Sequence, residues 1–198
     1  MKKRFSSFRL VWAAVAFACI ASGNVFADQL IVNGGFETGN FTGWTADPVS
    51  FAMDVKSSLL FPVNSGTYSA QIAGFDYGPD TLSQSVATVA GQSYALDFWF
   101  WQDTGTPNGF IVDWNGTALY AETDYTTAPE YREFQFNVVG TGFDTLTFTT
   151  YNNPAFAYVD DVSLVGPAAV PEPSSLALLG LGGIGYGISA YRRRRAAV

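Results

Sequence analysis

Every second residue is apolar along many short stretches of this 198-residue chain, and this alternation constrains its fold more than any other feature. In the stretch Thr145-Leu-Thr-Phe-Thr-Thr150, the apolar side chains of Leu146 and Phe148 alternate with threonines. A period of two is that of a β-strand with one buried face, so these two side chains are predicted to lie in a core. No amphipathic segment of helix length occurs between residues 28 and 166. The pattern predicts an all-β domain built as an antiparallel sandwich over residues 28–166.

Residues that favour turns separate the apolar runs and divide the domain into ten predicted strands. Asn115-Gly116 is the strongest hairpin signal, because both residues tolerate the positive φ angles of a type I′ turn. We therefore expect the runs on either side of it to pair. The predicted strands cover residues 29–32, 49–55, 68–73, 82–89, 93–101, 110–114, 118–122, 132–139, 145–151 and 156–165.

The C-terminal segment begins with a Pro-Glu-Pro turn and continues as an uncharged apolar stretch. Pro171 and Pro173 restrict the backbone and disfavour helix before them, which predicts an exposed Pro-rich linker over residues 167–173 with Glu172 as its one charge. Residues 174–191 carry no charge, and a helix of that length spans roughly 27 Å, close to the thickness of a bilayer core. The sequence therefore predicts a C-terminal transmembrane helix.

A basic cluster closes the chain, and the positive-inside rule places it in the cytoplasm. The predicted basic tail covers residues 192–198, and its charged residues are Arg192, Arg193, Arg194 and Arg195. Together with the Pro-Glu-Pro turn and the apolar stretch, it resembles the PEP-CTERM sorting signal of exported proteins in Gram-negative bacteria that make extracellular polysaccharide. The resemblance implies cleavage near Pro171 to Pro173 by an exosortase, a membrane-embedded transpeptidase-like protease. The protein would be anchored transiently in the cell membrane and then reach the cell surface or the extracellular matrix.

The N-terminus has the three parts of a secretory signal peptide. A positively charged start is followed by an apolar run over residues 10–21 and by the small-x-small site Val25-Phe26-Ala27. This order predicts a helical signal peptide over residues 1–27 that is cleaved after Ala27. Its removal also removes Cys19, the single cysteine of the sequence, so the exported domain is predicted to have no disulfide.

The domain between the two targeting segments is strongly acidic. Residues 28–166 hold two of the ten basic residues, Lys56 and Arg132, and sixteen of the seventeen acidic ones, which gives a formal net charge of −14. A surface of this sign repels phosphate backbones, which argues against nucleic acid as a partner. It suits an extracellular setting in which divalent cations bridge carboxylates.

Three segments of the domain carry distinctive motifs. They are Leu30-Ile-Val-Asn-Gly-Gly-Phe-Glu-Thr-Gly-Asn-Phe-Thr-Gly-Trp44, Ser65-Gly-Thr-Tyr-Ser69 and Ala157-Tyr-Val-Asp-Asp-Val-Ser-Leu164. They resemble the galactose-binding-like jelly rolls, a group that includes many carbohydrate-binding modules. The resemblance implies a jelly-roll sandwich whose first and last strands lie side by side, often joined by a calcium ion away from any sugar.

Within these segments, Glu37, Asp160 and Asp161 are the candidate calcium ligands. Ca²⁺ prefers oxygen donors, and a Glu carboxylate can bind it through both oxygens. Ser65, Gly66 and Tyr68 could add main-chain oxygens. The alternative is that both aspartates cap turns at a strand end while Glu37 is solvated.

The sequence also predicts that Asp160 points inward. Strict alternation places it on the same strand face as three residues that favour burial, namely Tyr158, Val162 and Leu164. A buried carboxylate is costly unless it is paired or bound to a metal. Because the domain has two basic residues only, calcium is the favoured partner.

The residues of the fifth predicted strand divide between two faces. One face carries Tyr94, Leu96, Phe98 and Phe100, and the other carries Asp97, Trp99 and Trp101. The face with Asp97 is the better candidate for a wet surface, which nominates Trp99 and Trp101 as platforms for sugar rings; burial in the core is the alternative. We expect these tryptophans to share one sheet with Trp114 and Tyr120, and Trp44 to lie in the core.

Signals for catalysis are weak. The sequence has no histidine and the exported domain has no cysteine, which argues against a Ser-His-Asp triad, a thiol nucleophile and imidazole ligands for zinc. We therefore expect no enzyme. Three functions remain open: a structural or adhesive matrix protein associated with exopolysaccharide in a biofilm, a carbohydrate-binding module, and a small glycan-active enzyme that uses two carboxylates. We favour the first, because it requires least beyond the sorting tail.

Overall fold

The computed structural model describes residues 28–48, 51–74, 78–127, 129–153 and 155–166, and these residues form ten strands and no helix. In chain order the strands are β1 (Thr45–Asp47), β2 (Asp54–Ser57), β3 (Tyr68–Ile72), β4 (Asp80–Ala87), β5 (Ser93–Gln102), β6 (Asn108–Trp114), β7 (Thr117–Thr123), β8 (Arg132–Val139), β9 (Phe143–Asn152) and β10 (Ala157–Val165). Nowhere in this part of the chain is there a helix that is long and apolar enough to cross a membrane. The predicted signal peptide, linker, transmembrane helix and basic tail lie outside the described residues.

The strands form two five-stranded antiparallel sheets. Sheet A has the order β2-β3-β10-β5-β8, and sheet B has the order β1-β4-β9-β6-β7. The last strand, β10, lies between β3 and β5, so neighbours in the sheet are far apart in the sequence. This crossing connectivity is that of a jelly roll, and the predicted all-β sandwich is confirmed.

The core lies between the sheets and combines aliphatic side chains with a cluster of aromatic rings. The rings of Phe100 from sheet A and Phe110 from sheet B stack with centroids 3.6 Å apart. Leu146 and Phe148 are fully buried, as the alternation predicts, and Trp44 also lies in the core. Burial of these rings and of the aliphatic side chains around them stabilises a domain that has no disulfide.

The β6–β7 hairpin forms as predicted, with positive φ angles of 53° at Asn115 and 73° at Gly116. The expectation that the mid-chain aromatics share one sheet is wrong. β6 pairs with β9 and β7 in sheet B, so Trp114 and Tyr120 lie in the sheet opposite to Trp99 and Trp101. The reason is that the connection between β5 and β6 crosses from one sheet to the other, which the local pattern of the sequence does not reveal.

Residues 29–32, predicted as the first strand, form one isolated bridge between Gln29 and Val165 instead. Side chains make hydrogen bonds that backbone groups of a paired strand would otherwise make. The Gln29 Oε1 atom accepts the backbone N–H of Leu164 at 2.8 Å, and the Gln84 side chain binds both the N–H and the carbonyl of Val32 at 2.7 and 2.9 Å. The first segment nevertheless lies beside the last strand, as the jelly-roll resemblance implies.

Candidate functional site

The outer face of sheet A carries two half-buried tryptophans from β5. Trp99 and Trp101 point away from the core, whereas the alternate residues of β5 are buried in it. In the register of the sheet, Trp99 lies between Asp160 of β10 and Glu133 of β8, and Trp101 lies beside Tyr158 of β10. The face nominated from the sequence is thus the solvent side of sheet A, while the binding role of its two tryptophans stays a prediction.

Trp101 is held against a buried tyrosine. The ring centroids of Trp101 and Tyr158 lie 5.3 Å apart with an angle of 70° between the rings. The Tyr158 hydroxyl donates a hydrogen bond of 2.9 Å to Gln71 Oε1, and the Gln71 amide donates to the carbonyl of Ala52. Tyr158 and Gln71 are both buried, so this chain of contacts fixes the support beneath Trp101.

Polar side chains border the tryptophans on the β8 side. The Gln135 amide donates hydrogen bonds to Asp97 Oδ2 at 2.8 Å and to Glu133 Oε1 at 3.0 Å. These groups are arranged around an apolar surface and can hydrogen-bond a polar ligand that stacks on the rings.

The segment that follows β2 closes the other side of this face. Its Pro62 carbonyl accepts hydrogen bonds from the Ser69 hydroxyl at 2.7 Å and from the Tyr131 hydroxyl at 3.1 Å. Burial raises the pKa of Tyr131, and burial followed by the nearby Asp103 carboxylate raises the pKa of Tyr158 to about 12. Both hydroxyls therefore stay protonated at neutral pH and act as donors.

Two carboxylates lie at the end of this face against a single loop. Asp160 is fully buried, and its Oδ2 atom accepts the backbone N–H groups of Asn64 at 2.8 Å and Ser65 at 3.3 Å. The Asp161 carboxylate accepts the Asn64 side-chain amide and the Ser65 hydroxyl, each at 2.8 Å. The closing strand is thereby joined to the loop before β3.

A β-bulge corrects the predicted orientation of Asp160. The register of β10 shifts between Asp160 and Ser163, and Asp161 has a positive φ of 50°. The extra residue puts Tyr158 and Asp160 on the outer face, whereas Val162 after the bulge joins the core. The prediction that these residues share an inward face is wrong, and the loop at Asn64, not the core, buries Asp160.

Glu37 reaches the same loop from the first segment. Its Oε1 atom accepts the backbone N–H groups of Thr67 at 2.8 Å and Tyr68 at 3.0 Å. A Cβ at Gly35 would lie 3.5 Å from Asp161 Oδ1 and 3.8 Å from Glu37 Cγ. Glu37, Asp160 and Asp161 thus each accept hydrogen bonds from the loop 64–68.

No basic side chain of the described residues neutralises these three carboxylates. Lys56 pairs with Asp54 at 2.7 Å and Arg132 with Glu122 at 2.8 Å, which leaves Asp160 to backbone donors. Burial, and then the adjacent Asp161 carboxylate, raise the pKa of Asp160 to about 7 even though three N–H groups stabilise the ionised form.

The oxygen atoms of Glu37, Asp160, Asp161 and the loop 64–68 are of the type that calcium prefers, but the carboxylates alone do not form a complete set of ligands. Over the described ranges, no three acidic, histidine or cysteine side chains come together as a ready metal cluster. Calcium also accepts carbonyl, amide and hydroxyl oxygens, and the loop 64–68 offers these beside the carboxylates.

Sequence reasoning missed several residues of this face. Gln71 is an ordinary residue of β3 and Tyr131 directly precedes β8, and their position depends on which strands become neighbours. Asn64 directly precedes the Ser65-Gly-Thr-Tyr-Ser69 motif, and this position is the one feature of the sequence that indicates a place for Asn64 in the site.

The described residues form a jelly roll whose sheet A carries aromatic and polar side chains on its outer face. Residues 28–155 match the family described as Carbohydrate binding domain, and because the match spans more than half of the sequence, the chain belongs to this family. Residues 169–195 match the PEP-CTERM protein-sorting motif, which confirms the identification of the C-terminal tail. A search of curated proteins gave no significant match.

Solved structures show the same fold at low sequence identity. TmCBM61, solved in complex with β-1,4-galactotriose, is 22% identical, with a TM-score of 0.54 over 71% of this chain and 100% of that chain. The K1 cleaved adhesin domain of Lys-gingipain from Porphyromonas gingivalis W83 is 15% identical, with a TM-score of 0.53 over 66% and 94%. The Stig cyclase Fisc from Fischerella sp. TAU is 13% identical, with a TM-score of 0.53 over 73% and 100%. These likenesses establish the jelly-roll fold.

Proposed function

We propose that this chain is an exported, non-catalytic glycan-binding protein that is sorted to the cell surface by its C-terminal tail. The half-buried Trp101, supported by Tyr158 on the outer face of sheet A, is the observation that carries the binding role. Aromatic rings stack on the apolar faces of sugars, and the polar groups of Gln135 and Glu133 are placed to bind hydroxyls. Membership of a carbohydrate-binding family supports this function over that of a purely structural matrix protein.

The ligand class follows from the charge of the site. Asp97 and Glu133 border the tryptophans, and the two basic side chains of the described residues are engaged elsewhere. An anionic polysaccharide would be repelled, so a neutral polysaccharide is expected.

Affinity electrophoresis of the detergent-solubilised chain through gels that contain neutral polysaccharides tests this function. One polysaccharide should retard the wild-type chain, and Trp99→Ala or Trp101→Ala should abolish the retardation. Tyr151→Ala is the matched control, since Tyr151 lies on the outer face of sheet B, over Gly109. Equal retardation of Trp101→Ala and wild type would contradict the assigned face. Turnover of the polysaccharide would contradict a non-catalytic role.

Calcium is the second part of the proposal. Glu37, Asp160 and Asp161, with oxygens of the loop 64–68, would hold a structural Ca²⁺ that joins the first and last segments of the domain. A bound cation would offset the charge of three carboxylates that have no basic partner, so it should stabilise the fold by mass action. Calcium should raise the melting temperature, and EDTA should reverse the effect. An unchanged melting temperature in EDTA would rule the site out.

Export and processing form the third part. The sorting motif indicates export and membrane-associated sorting by an exosortase, and we propose that residues 174–191 form the transient anchor in a Gram-negative cell that secretes exopolysaccharide. Mass spectrometry of the protein from the outer fraction should find a chain that lacks everything after Pro173. Full-length tails throughout that fraction would contradict cleavage.

A further inference from the structure

Both ends of the sandwich domain leave from the same place. The N–H of Gly166, the last described residue, donates a hydrogen bond of 3.4 Å to the carbonyl of Asp28, the first one. A Cβ at Gly166 would lie 3.0 Å from the ring of Tyr94, whose hydroxyl accepts the N–H of Val89 at 2.8 Å. The exit toward the C-terminal tail therefore adjoins the turn that contains Val89.

Three exposed apolar side chains are found at this end of the sandwich. They are Val89, Val139 and Phe143, which are 63%, 56% and 70% exposed. Their turns are interlocked, because the N–H of Gly91 donates to Gly140 at 2.8 Å and the N–H of Thr88 to Gly142 at 3.0 Å. We call these three residues the terminal patch.

The loops around the terminal patch carry no charge, although the domain has a formal net charge of −14. Residues 85–96, 114–121 and 137–143 contain no acidic or basic side chain. Asp144, which follows the last of these ranges, is fully buried. Its carboxylate accepts hydrogen bonds from the backbone N–H and the hydroxyl of Thr141, at 2.6 to 3.2 Å, and from the Asn115 side-chain amide at 2.6 Å. Asp28, at the chain exit, is exposed.

We infer that the terminal patch rests on the lipid surface of the membrane in which the chain is anchored. The inference depends on the proposed membrane anchor. Only residues 167–173 separate Gly166 from the apolar stretch, and seven extended residues reach at most about 25 Å. That length keeps the exit end of the domain within reach of the bilayer.

The lack of charge makes this end of the domain suited to contact with lipid. Anionic lipids repel a surface that is covered with carboxylates, whereas an uncharged end with three apolar side chains can enter the boundary between headgroups and acyl chains. The glycan face on sheet A lies toward the opposite ends of β5 and β10, around Trp101, so docking through the terminal patch leaves it free.

Site-specific fluorescence on the full chain tests this contact. The Cys19→Ser background provides a chain without cysteine, into which Val89→Cys or Val139→Cys is introduced for labelling with an environment-sensitive dye. Leu60→Cys is the matched control, since Leu60 is 85% exposed in the turn after β2. In vesicles of phosphatidylcholine and phosphatidylglycerol, the dyes at positions 89 and 139 should shift to the blue and be quenched by spin-labelled lipid. The dye at position 60 should behave as it does in water.

Each failure points to a different error. If the chain floats with the vesicles while the dyes at 89 and 139 stay aqueous, the lipid contact is wrong and the anchor stands. If the chain does not float, the proposed anchor is wrong and the inference falls with it. A blue shift already present in detergent-free protein without vesicles would show that a second copy of the chain covers the patch. Retardation by polysaccharide reports the glycan face independently in every case.

Discussion

The ring of Trp101 packs edge-to-face against the ring of Tyr158, with centroids 5.3 Å apart on adjacent strands of sheet A. Tyr158 is buried and Trp101 is half-buried, so the tyrosine is the support and the tryptophan is the part that a ligand can reach. A rigid support lowers the entropy that a binding surface loses on contact, which is an advantage for a shallow site. The position of Trp101 thus depends on a buried residue that a ligand stacked on the proposed binding face would not touch.

Tyr158→Phe should weaken glycan binding without removing either ring of this pair. The substitution deletes the hydroxyl that donates to Gln71 Oε1, and leaving a buried acceptor unpaired costs about 1–3 kcal/mol. We expect a lower melting temperature and a several-fold loss of polysaccharide affinity, measured by denaturation and by gel retardation. Trp101→Ala should instead lose the retardation while the fold persists. If Tyr158→Phe melts and binds as the wild type does, the hydrogen bond to Gln71 has no role in holding the surface.

The stability of the calcium-free chain should fall as pH rises from about 4 to about 7. The pKa of Asp160 is about 7 in the folded domain and about 3.9 in an unfolded chain, so over this range the folded state binds the proton and the unfolded state does not. A pKa difference of one corresponds to about 1.4 kcal/mol, so the loss amounts to a few kcal/mol. Denaturant unfolding in EDTA at several pH values measures it.

Two comparisons separate this carboxylate from the other acidic groups. Asp160→Asn should flatten the pH dependence in EDTA, because the amide does not titrate. Saturating calcium should also flatten it, since the metal stabilises the ionised form. A pH dependence in EDTA that is the same in Asp160→Asn and in the wild type would contradict the assignment to Asp160.

The sequence was informative wherever a structural rule is local. The alternation at Leu146 and Phe148 depends only on the pleat of one strand, and the turn at Asn115-Gly116 depends only on backbone freedom, so both were predicted correctly. The division of β5 between a core face and an outer face follows from the same rule. The convergence of Glu37 with Asp160 came from the family resemblance, because nothing in their spacing of more than one hundred residues predicts contact.

Non-local pairing accounts for what the sequence could not show. One extra residue at Asp161 reverses the faces of β10, and a bulge of this kind leaves the apolar pattern ambiguous. The side chain of Gln84 makes the two hydrogen bonds to Val32 that a neighbouring strand would otherwise make. Strand propensity does not predict such a contact. Trp99 and Trp101 lie in one sheet and Trp114 in the other. The local sequence indicates where a strand forms, but the order of strands in a sheet is set by the packing of the whole domain.

Arg132→Lys should destabilise the domain by about 1–2 kcal/mol. Arg132 of β8 donates to both carboxylate oxygens of Glu122 on β7, at 2.8 and 3.0 Å, and its guanidinium lies 3.9 Å from the ring centroid of Tyr125. The pair connects the edge strands of the two sheets, and a lysine can reproduce neither the paired hydrogen bonds nor the stacking. Denaturant unfolding measures the loss.

The second ion pair of the described residues provides the control for that prediction. Lys56 and Asp54 lie on one edge strand, and Asp54 is largely exposed. Lys56→Met should therefore change the free energy of unfolding by less than about 1 kcal/mol. Equal losses for Lys56→Met and Arg132→Lys would mean that the connection between the sheets adds nothing.

Gly66→Ala should damage the loop that holds the candidate calcium ligands. Gly66 has a positive φ of 65°, and a Cβ there would lie 2.3 Å from Glu37 Oε1, so the alanine must displace the carboxylate. Gly116→Ala is the matched control, because Gly116 has a similar φ of 73° and a Cβ there would meet no atom within 4 Å. The control loses only the backbone preference of glycine, about 1 kcal/mol. Gly66→Ala should lose that amount as well as the hydrogen bonds that Glu37 accepts from the N–H groups of Thr67 and Tyr68. Calcium should then raise its melting temperature less than that of the control. Equal unfolding free energies and equal calcium responses in the two variants would show that Glu37 contributes neither to the loop nor to the metal.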